Sequence, residues 1–250
     1  MSITASDVAK LRSLTGAGMM DCKKALDEAG GDMEKAGELL RKKGIVKAAK
    51  RTDKIAAEGA TQVKVNGNTA VVLEVNSETD FVAQNEDFKN LVNELTDNLL
   101  ENKPAGMEEA MSPAVAEKIN NLTAKIGEKI VLRRFAVVEK TDADAFGVYS
   151  HLGGKISVLV VLKNSAHVGL ATDIAMHAAA SNPKYVSRDQ VPAEMIAKEL
   201  EQPFIKDEEK TIQKLLGESI SIAQMERFEL GAGLVKETSD FAAEVEAQLK

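Results

Sequence analysis

The side chains of this 250-residue chain that are most able to make and break bonds are scattered along it. Its three histidines, His151, His167 and His177, stand too far apart in sequence to form a local metal pair, and Cys22 has no second cysteine at ligand spacing. Cys22 beside Lys23 has the makings of a reactive thiol, but a lone cysteine at a helical core spacing is far more often a buried one, so Cys22 reads as core. Gly153-Gly154-Lys155 resembles the end of a phosphate loop, yet Ile156 follows where Ser or Thr is needed and the upstream glycine is missing. The chain is therefore not expected to bind nucleotide by itself, nor a metal or other cofactor. Asp and Glu number 39, with no spacing that singles out a pair for acid–base work, and no catalytic set emerges. The unusual stretch is Asn76-Ser77-Glu78-Thr79-Asp80-Phe81-Val82-Ala83-Gln84-Asn85, too polar for a strand and ahead of a helical period, with an aromatic ring in its middle. Phe81 reads as a loop residue. Composition slightly favours folding it back as a staple on the next helix, with Thr79 or Asp80 as cap; an outward-facing contact is the other reading, and spacing does not decide.

The elements around that loop follow from periodicity. Val8, Leu11 and Leu14, then Cys22, Ala25 and Leu26, then Met33, Ala36, Leu39 and Leu40 repeat at helical spacing and predict three short helices. Thr4 with Asp7 marks the first start, and Gly16, Gly18 and Gly30-Gly31 mark the turns. Residues 47–54, polar and basic, read as a linker. From Ala60 the period becomes two, and Asn66-Gly67 between β-branched runs predicts a hairpin. A helix with Phe88, Leu91, Val92, Leu95 and Leu99 on one face follows, then one opened by Ser112-Pro113 with Val115, Ile119, Leu122 and Ile126 aligned, then a strand from Lys129 to Glu139. The order recurs: a hairpin around Leu152-Gly153-Gly154, a helix at about 167–180, another from Pro192 to Leu216 interrupted at Pro203, and a strand from Ser219 to Leu230. Arg134-Phe135 and Arg227-Phe228 end the two halves alike, as an internal duplication would leave them. Ser239-Asp240 caps a predicted C-terminal helix with Phe241, Val245 and Leu249 on one side. The fold class is α+β.

Composition narrows the partners. A net charge of −7 disfavours a general nucleic-acid binder, whose surface is normally basic. The chain has no apolar run approaching the roughly 20 residues that span a bilayer, and neither a signal segment nor a second cysteine, so no membrane contact is expected and the cytoplasm is the expected compartment. With no Trp and 7 Phe, the cores must be aliphatic, and an exposed Phe would stand out. One class of reading is an adaptor for a ubiquitin-like or RNA partner, suggested by the three-helix start and the basic residues between Arg41 and Lys54, although the acidic remainder weakens its RNA version. An enzyme working through scattered carboxylates ranks last.

Two motifs reach further. Thr15-Gly16-Ala17-Gly18-Met19-Met20-Asp21-Cys22-Lys23-Lys24-Ala25-Leu26 and Thr79-Asp80-Phe81-Val82-Ala83 together resemble the bacterial elongation factor Ts family. The likeness continues through Ile55-Ala56-Ala57-Glu58-Gly59, His151-Leu152-Gly153-Gly154-Lys155-Ile156, Met176-His177-Ala178-Ala179-Ala180, Gln202-Pro203-Phe204, Arg227-Phe228-Glu229 and Thr238-Ser239-Asp240-Phe241-Ala242, and so spans almost the whole chain. It implies a ubiquitin-associated-like helical N-domain with a basic linker over 1–54, a core with antiparallel sheets in two parts over 55–140 and 141–233, and a C-terminal helical module over 234–250. It further implies a guanine-nucleotide exchange factor for the GTPase elongation factor Tu, without a catalytic centre of its own. Thr79, Asp80, Phe81 and Val82 would dislodge the partner's magnesium; Met19, Met20 and Lys23 would face its GTPase domain, core packing claiming one of the two methionines; His151 would touch another of its domains, although an idle surface histidine fits that position nearly as well. Many relatives insert a helical hairpin between the segments matching Asp189-Gln190-Val191-Pro192 and Gln202-Pro203-Phe204, where this chain has about ten residues. Self-association through that hairpin is not carried over, which leaves the oligomeric state open.

Overall fold

The computed structural model describes residues 3–49, 51, 53–184, 203–217 and 219–234. The predicted helix over 192–202, the shortened connection and the C-terminal module with its helix lie outside these residues, Leu234 apart.

Three helices open the chain: α1 (Ala5–Thr15), α2 (Met19–Glu28) and α3 (Met33–Ala49). Thr4 and Asp7 cap α1 reciprocally, and α1 stops at Gly16, whose φ of 69° suits a residue without a Cβ. Val8, Leu11, Cys22, Ala25, Leu26 and Ala36 are buried between the three helices, with Met33, Leu39 and Leu40 packed against them. Leu14 departs from the predicted pattern: it sits in the last turn of α1, beyond the reach of that cluster, and is 69% exposed. Helix α3 runs through residues 47–49, so the predicted linker begins later than expected. Lys and Ala both have a high intrinsic helix preference, which favours this continuation.

Two three-stranded antiparallel sheets follow the helices. The first, in the order β1 (Glu58–Asn66), β2 (Thr69–Ser77) and β3 (Val131–Glu139), carries Val71, Leu73 and Val75 on its outer face. There they meet Phe88, Leu91, Val92, Leu95 and Leu99 of α5 (Glu86–Asn102) and Val115, Ile119 and Leu122 of α7 (Pro113–Ile126), the faces predicted from spacing. The short α4 (Asp80–Gln84) and α6 (Met107–Ala110) complete this half. Its hairpin turns on Gly67-Asn68, one residue later than Asn66-Gly67, with Gly67 at φ 58° and Asn66 already paired with Thr69.

The second sheet repeats the arrangement as β4 (Ala145–His151), β5 (Ile156–Lys163) and β8 (Ser221–Glu229), again with the second hairpin strand in the centre. Helix α8 (Val168–Ser181) covers its outer face against Val158, Val160 and Leu162. Gly147 permits the contact, because a Cβ there would stand 2.0 Å from the Ala171 carbonyl oxygen. The inner faces of the two sheets meet through Ala70 and Val138 on one side and Phe146, Leu159 and Val161 on the other. The core is thus helix, sheet, sheet, helix, which explains why β2 is buried along its whole length.

The segment from Pro203 corrects the predicted helix. It forms a small hairpin, β6 (Pro203–Phe204) with β7 (Asp207–Thr211), before a one-turn helix α9 (Ile212–Leu216). Proline has no N–H to continue a helix, and Phe204 turns inward onto the His177 ring at 5.7 Å, where it is buried.

A buried carboxylate ties the two sheets together. Glu74, wholly enclosed in β2, accepts hydrogen bonds from Arg133 Nη1 (2.8 Å), Arg134 Nε (2.6 Å) and the Gly231 N–H (2.8 Å). Burial alone would raise its pKa, but these donors outweigh that and hold it below the usual carboxylate range. Arg134 also stacks over the Phe228 ring at 4.4 Å, so the matching Arg-Phe steps meet each other in space.

Candidate functional site

The turn after β2 gathers the residues singled out in the sequence. Ser77 ends the strand and donates its hydroxyl to the Thr79 carbonyl (2.9 Å). Thr79 precedes α4 in extended geometry, with φ −122° and ψ 157°. Its backbone N–H and its hydroxyl both donate to the Glu128 carboxylate, at 2.9 and 2.8 Å. Glu78 reaches the other way, accepting from the Lys129 N–H at 2.6 Å and from Arg51 Nη1 at 2.8 Å. Two carboxylates therefore cross between the 77–79 turn and the 128–129 loop and fix one to the other.

On this base the next three residues diverge. Val82 points into the first core and is buried, whereas Phe81 is 82% exposed. Asp80 is exposed and its side chain makes no hydrogen bond or ion pair among the described residues. The structure thus replaces the slightly favoured staple with an outward ring, and it places Phe81 in the first turn of a five-residue helix, not in a loop. The reason is geometric: Val82 and Ala83 turn the inner side of α4 onto the first core, and successive helical residues point about 100° apart, which leaves Phe81 on the outer side. Leaving Phe81 in water forgoes about 2 kcal/mol of burial.

The second set lies at the start of α2. Met19 and Met20 are 53% and 63% exposed and Lys23 is exposed, so neither methionine is claimed by the core as expected. Cys22, Ala25 and Leu26 fill the inward positions of that helix and leave none for either methionine. This surface is tied to the α4–α5 region. A Cβ on Gly16 would sit 3.3 Å from Lys125 Cδ, and Lys125 pairs with Asp87 of α5 at 2.8 Å. Helix α3 packs on α7 beside it, where a Cβ on Gly44 would lie 3.3 Å from the Ala124 Cβ.

His151 ends β4 with its Nδ1 3.0 Å from the Tyr149 hydroxyl, next to Leu152, which is 71% exposed. This tip rests on β1, because the Thr61 N–H and hydroxyl both donate to the Gly154 carbonyl, at 2.7 and 2.9 Å. Gly153 and Gly154 share a shallow groove with Lys89, Val92 and Asn93 of α5. Helix α5 is thus the common neighbour of all three sets. The sequence reading passed over Glu78, Glu128 and Leu152. Only Leu152 carried a signal, as an apolar residue in a glycine turn.

The described residues contain no group of three or more His, Cys, Asp or Glu placed to hold a metal, and no helix long and apolar enough to cross a membrane. Among the described residues of the basic stretch, Arg41 pairs with Glu117, Lys42 with Glu38, Lys43 with Glu28 and Arg51 with Glu78.

The molecule is a mixed α+β protein of two antiparallel three-stranded sheets behind three N-terminal helices, with apolar side chains at the exposed ends of its elements. Residues 78–201 match the family model described as elongation factor TS, and across that segment, from the Phe81 turn through α8, the chain belongs to the elongation factor Ts family. A role in translation elongation follows, since members of that family are nucleotide exchange factors acting with elongation factor Tu.

Proposed function

We propose that this protein binds elongation factor Tu in its GDP form and speeds GDP release, so that GTP can rebind. The observation that carries the reading is the 82% exposure of Phe81 on a turn whose next residue, Val82, is anchored in the core. An aromatic ring held out in this way offers a large contact at the cost of fixing only two rotatable bonds, and truncating such an anchor typically costs about 2 kcal/mol or more.

In this reading Phe81 enters an apolar gap between partner helices, while the unpaired Asp80 perturbs polar contacts beside the partner's magnesium, with Thr79 and Val82 holding the turn. The nucleotide and its cation belong to the partner. Met19, Met20 and Lys23 rest on the GTPase domain, the flexible methionines adapting to its surface. His151, with Leu152 beside it, touches a second domain. The three-helix module over 1–54, the two core parts over 55–140 and 141–233 and the tail over 234–250 would serve as separate contact units. Thermodynamic reciprocity sets the limit: whatever factor this protein takes from GDP affinity, GDP takes from its own affinity for the partner, each tenfold being about 1.4 kcal/mol.

The RNA-adaptor reading draws less support, since the net charge is −7 and Arg41, Lys43 and Arg51 of the basic stretch each face a carboxylate of this chain. The test adds catalytic amounts of the protein to elongation factor Tu loaded with fluorescent GDP, in the presence of excess unlabelled GDP. Accelerated release is expected; release at the spontaneous rate would overturn the proposal.

A further inference from the structure

We propose that Glu128 is a positioning residue that sets the aim of Phe81, an inference that rests on the exchange reading above. The geometry behind it is unusual for a helix start. Thr79 holds the N-cap position of α4, yet its side chain makes no capping bond to that helix. An N-cap threonine normally accepts a hydrogen bond from the amides of its own helix. Here the hydroxyl is turned outward as a donor, and it shares the Glu128 carboxylate with the Thr79 N–H. The two residues are 49 apart in sequence, so the contact is tertiary and not part of the local turn. Among the described residues the Glu128 carboxylate forms no ion pair, and the hydrogen bonds it accepts are the two from Thr79.

The rest of the turn is fixed by other means. Val82 sits in the core, and the Asn85 N–H bonds the Val82 carbonyl at 3.0 Å where α4 gives way to α5. Glu78 holds the preceding residue to Lys129. Removing Glu128 therefore leaves the turn folded but frees its leading edge, the side from which Asp80 and Phe81 project. A wedge that enters its partner at the wrong angle still binds through Met19, Met20 and the hairpin tip, but it converts less of that binding into nucleotide release. The expected signature is thus a fall in the maximal release rate, with little change in the concentration at half-saturation.

The experiment measures GDP release from elongation factor Tu across a range of concentrations for five proteins: the parent chain, Glu128→Ala, Glu128→Gln, Phe81→Ala and the double variant Glu128→Ala with Phe81→Ala. Melting is followed for each by circular dichroism. Glu128→Ala should lower the maximal rate about tenfold, the loss expected from hydrogen bonds to a charged group. It should shift half-saturation less than about twofold, and adding it to Phe81→Ala should cost nothing further, because the residue it positions is already gone. Glu128→Gln, which keeps one acceptor oxygen, should fall between parent and Glu128→Ala, and it supplies the comparison if the alanine variant does not fold. Slow release by Phe81→Ala with parental rates for both Glu128 variants would overturn this inference alone. Independent losses that multiply in the double variant would also overturn it, since Glu128 would then act elsewhere. Parental release by Phe81→Ala would instead overturn the exchange reading and the inference with it.

Discussion

The two sheet units are built on one plan and used differently. In each, the second strand of a hairpin is central, the last strand closes the sheet, and a helix covers the outer face. Their connections diverge. The first unit turns its hairpin on Gly67-Asn68, while the second presents His151 and a 71% exposed Leu152 at the same place. Between central strand and helix, the second unit needs only the bend at Asn164 to His167, where the His167 ring caps α8; the first inserts the Ser77–Asn85 turn with its outward Phe81. Equivalent strands carry the packing, and the inequivalent connections carry the most exposed apolar groups of the two units, Phe81 and Leu152. The lesson is that two units of one plan can differ in what their connections expose without disturbing their cores, because loops bear little of the burial that holds the fold.

Substitutions can break or sharpen that contrast. The largest effect belongs to Phe88→Ala, seven residues after the exposed ring but fully buried in the first core. It should cost about 3–5 kcal/mol of stability, visible in urea unfolding, and lower exchange only through loss of folded protein. A cost below about 1 kcal/mol would mean that the first unit does not depend on this face. Next comes the paired change Met19→Ser with Met20→Ser, at the exposed start of α2. Stability should be within about 0.5 kcal/mol of the parent, while affinity for elongation factor Tu falls about tenfold in titration calorimetry. Unchanged affinity would remove the α2 surface from the contact.

The smallest effect is expected of acid on the second unit. Burial holds His177 neutral, below the 6.5 of a free histidine, and its Nδ1 accepts from the Ile205 N–H at 3.2 Å. The unfolded chain therefore takes up the proton first. The stability contributed by this site is complete above about pH 6.5 and declines as the pH falls through 6.5 toward the lower folded value. Melting curves between pH 7.5 and about 5.5 should show the parent losing stability faster than His177→Gln; parallel curves would show that this contact is not coupled to folding.

Much of this fold was legible because apolar spacing is a direct record of burial. The face from Phe88 to Leu99, the capping pair Thr4 and Asp7 and the repeated hairpins all came through. What failed to come through depended on competition between neighbours. Phe81 and Val82 are both apolar, and only the inward turn of Val82 and Ala83 onto the first core decides that Phe81 faces water. Met19 and Met20 both look partly core-like until Cys22, Ala25 and Leu26 are seen to fill the space. Glu128 and Glu78 were invisible because their partners lie 27 to 51 residues away, with no periodicity to announce them. The hairpin at Pro203 depends on Phe204 finding His177, again a tertiary match.

The central claim is that an exposed ring on a fixed turn drives nucleotide release without supporting the fold. The most direct measurement compares Phe81→Ala with the parent for the rate of GDP release from elongation factor Tu and for melting temperature on the same samples. Release slowed at least about tenfold with melting unchanged within about 1 °C is the predicted result, as expected for an 82% exposed anchor. Parental release, or a variant that melts several degrees early and loses activity only in proportion, would contradict it.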